Sequence, residues 1–208
     1  AESGLRLERL PLVLTTWGDW RERHPGTRVL SLETGFRRPY HPGAAYAGYF
    51  ASPETMFPVR ELSKRLPAKQ RIYGIEIDGV PKAYPVDLLT ERRVVHDSVG
   101  GVDLVLVTTR DAVRVEGRSV REGPARYDAG APVRVYRSGG RRLDWKDGVL
   151  RDADGGEWTL EEAALVGPNG ERAPREPGFL AYWFGWNAFH PKTLLFEGRA
   201  TNAGAGAP

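Results

Sequence analysis

The chain has 208 residues, 40% of them apolar and 10% aromatic, with 30 basic against 27 acidic side chains and a net charge of +3. That is enough apolar material for a folded core, as one large domain or two small interlocked ones, and it excludes a disordered tract. Cysteine is absent, which excludes disulfides, thiolate nucleophiles, Cys-ligated zinc and iron–sulfur clusters.

Charge is mixed along the chain. Arginines near the start alternate with Glu2, Glu8, Glu22 and Glu33, which reads as a solvated surface and not as the clustered basic face of a nucleic-acid binder. No segment approaches the about 18 apolar residues of a transmembrane helix. The chain begins Ala1-Glu2-Ser3 without Met, a start that fits a mature extracytoplasmic protein, periplasmic or secreted.

The first element belongs to an internal repeat. Trp17, Trp20, His24, Pro25 and Thr27 recur at the same spacing as Trp183, Trp186, His190, Pro191 and Thr193. Upstream, Gly4, Arg6, Arg9, Pro11 and Leu14 match Gly170, Arg172, Arg175, Pro177 and Leu180. Each copy reads as a loop, a short helix, a stop and a strand. Thr15 or Thr16 can cap the first helix, Trp17 and Trp20 share one of its faces, and Pro25 ends it. Arg28 to Leu30 then reads as a strand, as does Leu194 to Phe196 in the second copy. Both tryptophan pairs are expected to pack into the core beside a sheet.

Residues 34–68 are rich in Pro, Gly and Tyr and read as a wrapping loop, with one helical turn over Val59 to Leu66. From Arg71 the pattern alternates. Ile72 to Ile77, the turn Asp78-Gly79 and Val80 to Tyr84 form a hairpin. A short helix over Pro85 to Thr90 follows. Arg93 to Asp97, Gly100-Gly101 and Val102 to Thr108 form a second hairpin. Further short strands are Val113 to Val115, Val133 to Tyr136, Leu143 to Trp145, Gly148 to Leu150 and Glu157 to Thr159, with a helix expected over Leu160 to Leu165. The sum is a mostly β (α+β) fold: an antiparallel sheet or barrel-like core with a few short helices, bracketed by the tryptophan units. Four parts are expected: a terminal unit over 1–33, the aromatic loop over 34–70, a β-rich body with the second unit over 71–197, and a Gly/Ala tail over 198–208 expected to be flexible.

Several of these segments together resemble a bacterial and archaeal family known only as a domain of unknown function, number 3179. They are Gly74 to Asp78 with Ala83-Tyr84-Pro85, Val94 to Gly101, the unit from Arg9 to Ser31, Tyr46 to Phe50, Phe57 to Val59, and Trp183 to Pro191. Many members of that family carry a Cys-Pro-x-Cys-Gly signature after the second hairpin. Here Val107 to Asp111 holds no cysteine, and His96 stands where Asn is usual. The resemblance implies a fold and no established activity.

No catalytic signature emerges. The chain lacks a Gly-x-Ser-x-Gly elbow, and Gly167-Pro168-Asn169-Gly170 lacks the Lys and Ser/Thr of a phosphate loop. Asp152 to Glu157 lacks the spacing of a calcium loop and reads as a turn. His24 and His190 fit helix C-termini, where a His favours the last carbonyls. No metal site or cofactor is expected. The reading is a non-catalytic extracytoplasmic interaction domain, an accessory or structural subunit of a larger membrane-associated assembly. Its partners are other protein subunits, with no nucleic acid and no membrane span of its own. The alternative is a small-molecule or carbohydrate-binding domain, or a hydrolase, with Tyr40, His41, Tyr46 and Tyr49 lining a site in the 36–58 loop.

Overall fold

The computed structural model describes residues 4, 9–41, 45–59, 63–120 and 123–198. Two short helices come first: α1 (Trp17–Arg23) and α2 (Ala47–Ala51). The body then runs β1 (Arg71–Ile77), β2 (Val80–Pro85), α3 (Val86–Arg92), β3 (Val94–Val99) and β4 (Val102–Thr108). It continues with β5 (Val113–Ser119), β6 (Gly123–Gly130), β7 (Val133–Arg137), β8 (Leu143–Lys146), β9 (Val149–Asp152) and β10 (Glu157–Leu160). The last elements are β11 (Ala164–Val166), β12 (Arg172–Glu176), β13 (Gly178–Tyr182), α4 (Trp183–Phe189) and β14 (Leu194–Leu195).

The expected hairpins form at the expected turns. Asp78 and Gly79 both take positive φ, 49° and 76°, the two-residue geometry whose twist matches that of the flanking strands. β1 pairs with β2 from Ile77↔Val80 to Ile72↔Pro85, and β3 pairs with β4 from Val99↔Val102 to Val94↔Val107.

Three cores separate the layers. One small sheet has the order β13-β1-β2-β14. Its outer face carries α4, where Trp183 and Trp186 meet Ile72 and Ala83. Its inner face packs through Tyr73, Ile75, Tyr84 and Phe196 against α3 and against Leu104, Leu106, Val133 and Val135. Those last strands belong to an eight-stranded sheet of order β3-β4-β7-β12-β11-β10-β9-β8. This sheet curls into a nearly closed barrel around Val105, Val107, Tyr136, Leu143, Leu150 and Trp158. Its edges β3 and β8 meet at His96, whose Nε2 lies 3.1 Å from the Leu143 amide nitrogen and 2.9 Å from its carbonyl oxygen. A side chain thus bridges the gap where backbone pairing stops.

The fold is therefore mostly β with few helices, as expected, but several elements differ. Leu160 to Leu165 is not a helix: Leu160 ends β10 and Ala164 opens β11, because each pairs with a neighbouring strand. β6, β12 and β13 form where the sequence reads as loop, and α2 forms inside the aromatic loop. Arg28 to Leu30 is not a strand, and Leu30 is 95% exposed. Of the turn expected over Val59 to Leu66, the described part from Ser63 is a turn without helix. Residues 199–208 of the tail lie outside the described residues.

Candidate functional site

The two repeat copies build the same local clasp. Thr16 caps α1 by accepting the Asp19 amide at 3.2 Å. The helix ends at His24, with φ −130° and ψ 67°, and α4 ends at His190 with φ −128° and ψ 68°. The amides of these two residues reach back to Trp20 O and Trp186 O at 2.8 and 2.9 Å. Each chain then turns so that the tryptophan indole donates to a threonine, Trp20 Nε1 to Thr27 at 2.9 Å and Trp186 Nε1 to Thr193 at 2.8 Å. Each His ring lies on its Trp ring, with centroids 4.1 Å apart in both copies. The histidines thus cap their helices through the backbone amide, with each ring tilted 36° against its tryptophan.

Burial separates the copies. Trp183 and Trp186 are 0% and 2% exposed, whereas Trp17 and Trp20 are 46% and 37% exposed. The expectation that both pairs enter the core holds for the second copy and fails for the first. In the second copy the small sheet is the cover. Trp186 lies on the bare backbone of Gly74, where a Cβ would come within 2.4 Å of the ring. The first two amides of α4 donate to Gln70 O and Ala68 O, both at 2.9 Å, which satisfies orphan helix donors. The strand after the clasp pairs in parallel with β2 and buries Phe196.

No such sheet covers the first copy among the described residues. Leu30, the counterpart of Phe196, projects into solvent, and Val29 is 73% exposed. The first copy docks instead through the opposite side of its helix. Asp19, which replaces Gly185 of the second copy, is buried. It accepts from the Thr15 hydroxyl and pairs with Arg110 at 2.9 Å and Arg23 at 3.5 Å. The Thr15 hydrogen bond, with help from these arginines, holds its carboxyl below the usual carboxylate range. Leu12 O accepts from Arg175 at 2.9 Å. The clasp's aromatic edge is left facing outward.

Within the aromatic loop, Tyr46 and Tyr49 both pack against Phe50. The Tyr40 hydroxyl bonds Thr34 at 2.8 Å, and His41 is exposed. Tyr46 is 57% exposed and flanks Phe50. Tyr49 reaches a cationic neighbourhood, with the Lys69 ammonium 3.7 Å from its ring centroid. Beside it opens a cleft of about 500 Å³ whose lining includes Phe50, Tyr127 and Tyr182, the cations Lys69, Arg71 and Arg126, and the carboxylates of Asp87 and Asp128. The Arg71 guanidinium lies 4.0 Å from the Tyr182 centroid. Burial lowers the Lys69 ammonium's pKa and raises that of the Tyr182 phenol.

Two buried charge clusters were not singled out from sequence. In the first, the Lys82 ammonium pairs with Asp97 at 2.5 Å while the Tyr84 hydroxyl donates to the same oxygen at 2.8 Å. Burial, with Asp97 close by, pushes the Tyr84 hydroxyl's pKa far up. That keeps Tyr84 a donor at any ordinary pH. In the second, Arg134 and Arg175 share the carboxylate of Glu162, at 2.9 and 2.6 Å. Burial alone would raise that carboxyl, and the two guanidiniums outweigh it, leaving it below its usual range. The Asp152 run is a turn: its carboxylate accepts from the amides of Asp154 and Gly156 and from Trp158 Nε1. Among the described residues no group of three or more His, Asp or Glu is placed to hold a metal, and no helix is long and apolar enough to cross a membrane.

A small four-stranded sheet closed by a tryptophan clasp, stacked on a nearly closed barrel-like sheet and carrying a second clasp of the same local geometry, defines a β-rich domain. The chain belongs to the family described as a protein of unknown function, DUF3179, whose model matches residues 1–193. No curated protein and no solved structure matches it.

Proposed function

We propose that this domain is a non-catalytic interaction module, an extracytoplasmic accessory subunit of a larger protein assembly. Its docking face is the first tryptophan clasp. One observation carries the reading: the clasp that a sheet buries in the second copy has no such sheet over it in the first among the described residues, and its tryptophans are part-exposed. Trp17, Trp20, Val29 and Leu30 are all exposed, and exposed apolar side chains in such number on one short segment are a mark of a contact surface. The second copy specifies the cover chemically. The occupant is a body of the same family, with a β-strand that carries glycine where Gly74 stands, so that an indole can lie on bare backbone.

The test is a photo-reactive side chain at Leu30 in the full chain, activated in the native source, with the adduct mapped by mass spectrometry. Adducts on a glycine-bearing strand of a family body support the reading. A monomeric chain without adducts, or adducts on unrelated sequence, overturns it.

A second reading rests on the cleft beside Tyr49 and Phe50. Its aromatic walls and cations, Lys69, Arg71 and Arg126, suit a planar anion. Quenching of tyrosine emission by benzoate, lost in Arg71→Ala, supports it. Quenching of equal size in that variant removes it.

A further inference from the structure

We propose that Arg134 and Arg175, together with the hydroxyl of Tyr73, form a binding site for a small oxyanion where the body meets the segment from Leu12 to Arg23. The argument begins with charge. Both guanidinium side chains are 2% exposed, and they share one carboxylate, that of Glu162, which is itself 42% exposed. Two cations and one anion leave an excess positive charge in the interior, which is expensive unless a counter-ion completes it.

Hydrogen bonding points the same way. Arg134 Nε and Nη1 and Arg175 Nε are buried without a hydrogen-bond partner, and the buried Tyr73 hydroxyl, which Arg175 approaches as a donor, has no acceptor for its own proton. Fully buried donors are nearly always satisfied, so four in one cluster mark a missing acceptor. Two guanidiniums and a phenol hydroxyl are donors suited to an oxyanion: planar N–H forks match carboxylate and phosphate geometry. Both guanidiniums act electrostatically on the Tyr73 hydroxyl, which burial nonetheless pushes up to about 12. The phenol therefore keeps its proton and can donate it.

The backbone explains the convergence. Arg175 on β12 stands opposite Tyr136 on β7, and Arg134 lies two residues from Tyr136 on the same face of that strand. The rim is accessible. Glu162 and Arg23 are part-exposed, and Arg23 lies 3.7 Å from Glu162. Asp19 acts on Arg134 from the first-copy side, so its carboxylate is the internal rival of an incoming anion. A buried water would satisfy donors but not the charge, which favours an ion.

The experiment titrates inorganic phosphate into the full chain at constant ionic strength set by chloride. It follows the melting temperature and the arginine Nε–H resonances. Saturable stabilisation is expected, with selective shifts of the Arg134 and Arg175 signals. Tyr73→Phe should weaken phosphate by about tenfold, the worth of one hydrogen bond to a charged group. Asp19→Asn should tighten it, and Arg134→Gln should abolish the response. If Arg134→Gln does not fold, Tyr73→Phe carries the comparison. Identical responses in the wild-type and Tyr73→Phe chains would mean an adventitious ion only. That result, or arginine signals that phosphate leaves unmoved, overturns the site.

Discussion

The two tryptophan clasps share a geometry and differ in what touches them. From the helix C-terminus to the indole–threonine hydrogen bond they match closely, although only the first has a side-chain N-cap, Thr16. Yet one is core and the other is surface. The clasp is therefore a self-sufficient local structure, held by contacts within about ten residues. The sheet beneath it is a separate condition. The strand that follows the clasp is not part of that local structure: it forms as β14 where β2 offers an edge and does not form after Thr27.

Substitutions can break this comparison, starting with the indoles. Trp186→Ala should destabilise the chain by about 3–5 kcal/mol, the range for truncating a fully buried aromatic. Trp20→Ala should cost less than about 1 kcal/mol, since most surface changes are small. Urea unfolding of both variants measures the gap, and equal losses would mean that the first clasp is covered after all. Next comes Gly74→Ala. Its Cβ would sit 2.4 Å from the Trp186 ring, and overpacking of this kind costs about 1–3 kcal/mol. The double variant Gly74→Ala with Trp186→Ala should recover part of that loss.

A finer probe is the threonine that receives each indole. Thr193 is 2% exposed, so Thr193→Val strands a buried N–H and should cost about 1–3 kcal/mol. Thr27→Val leaves an indole that water can reach, and its unfolding midpoint should move little. The smallest effect is pH-dependent. The folded-state pKa of Asp19 lies below its usual value, so its contribution is present above the unfolded carboxylate pKa and is lost as pH falls through the lowered one. Asp19→Asn should therefore lower stability at neutral pH, and the difference from wild type should vanish in acid. A difference that persists unchanged in acid would refute the docking role of the carboxylate.

Much of the architecture was legible in the residues because it is encoded locally. The turns at Asp78-Gly79 and Gly100-Gly101, the caps, and the alternating runs of β1 to β4 each carry their own signal. β12 did not, because Arg172-Ala173-Pro174-Arg175-Glu176 reads as a polar loop until its arginine is seen buried opposite Tyr136. With β12 unseen, β11 lacked a partner, and Leu160 to Leu165 read as a helix. β6 was hidden by Pro124 and two glycines, residues that an edge strand of a two-stranded ribbon tolerates. The charge clusters were equally illegible. Arg134 alternates with Val133 and Val135 as an outward polar residue would, but both faces of this sheet are covered.

The order of residues by itself determined the helix, its stop, the histidine set against tryptophan and the threonine that receives the indole, twice over. Only the tertiary structure decided which copy is buried, where a following strand exists, and that two arginines share one carboxylate. The reason is range. Caps and clasps close over a few residues, whose mutual geometry the backbone already restricts. Burial and strand pairing depend on what distant segments bring, and a chain carries no local record of its absent neighbours.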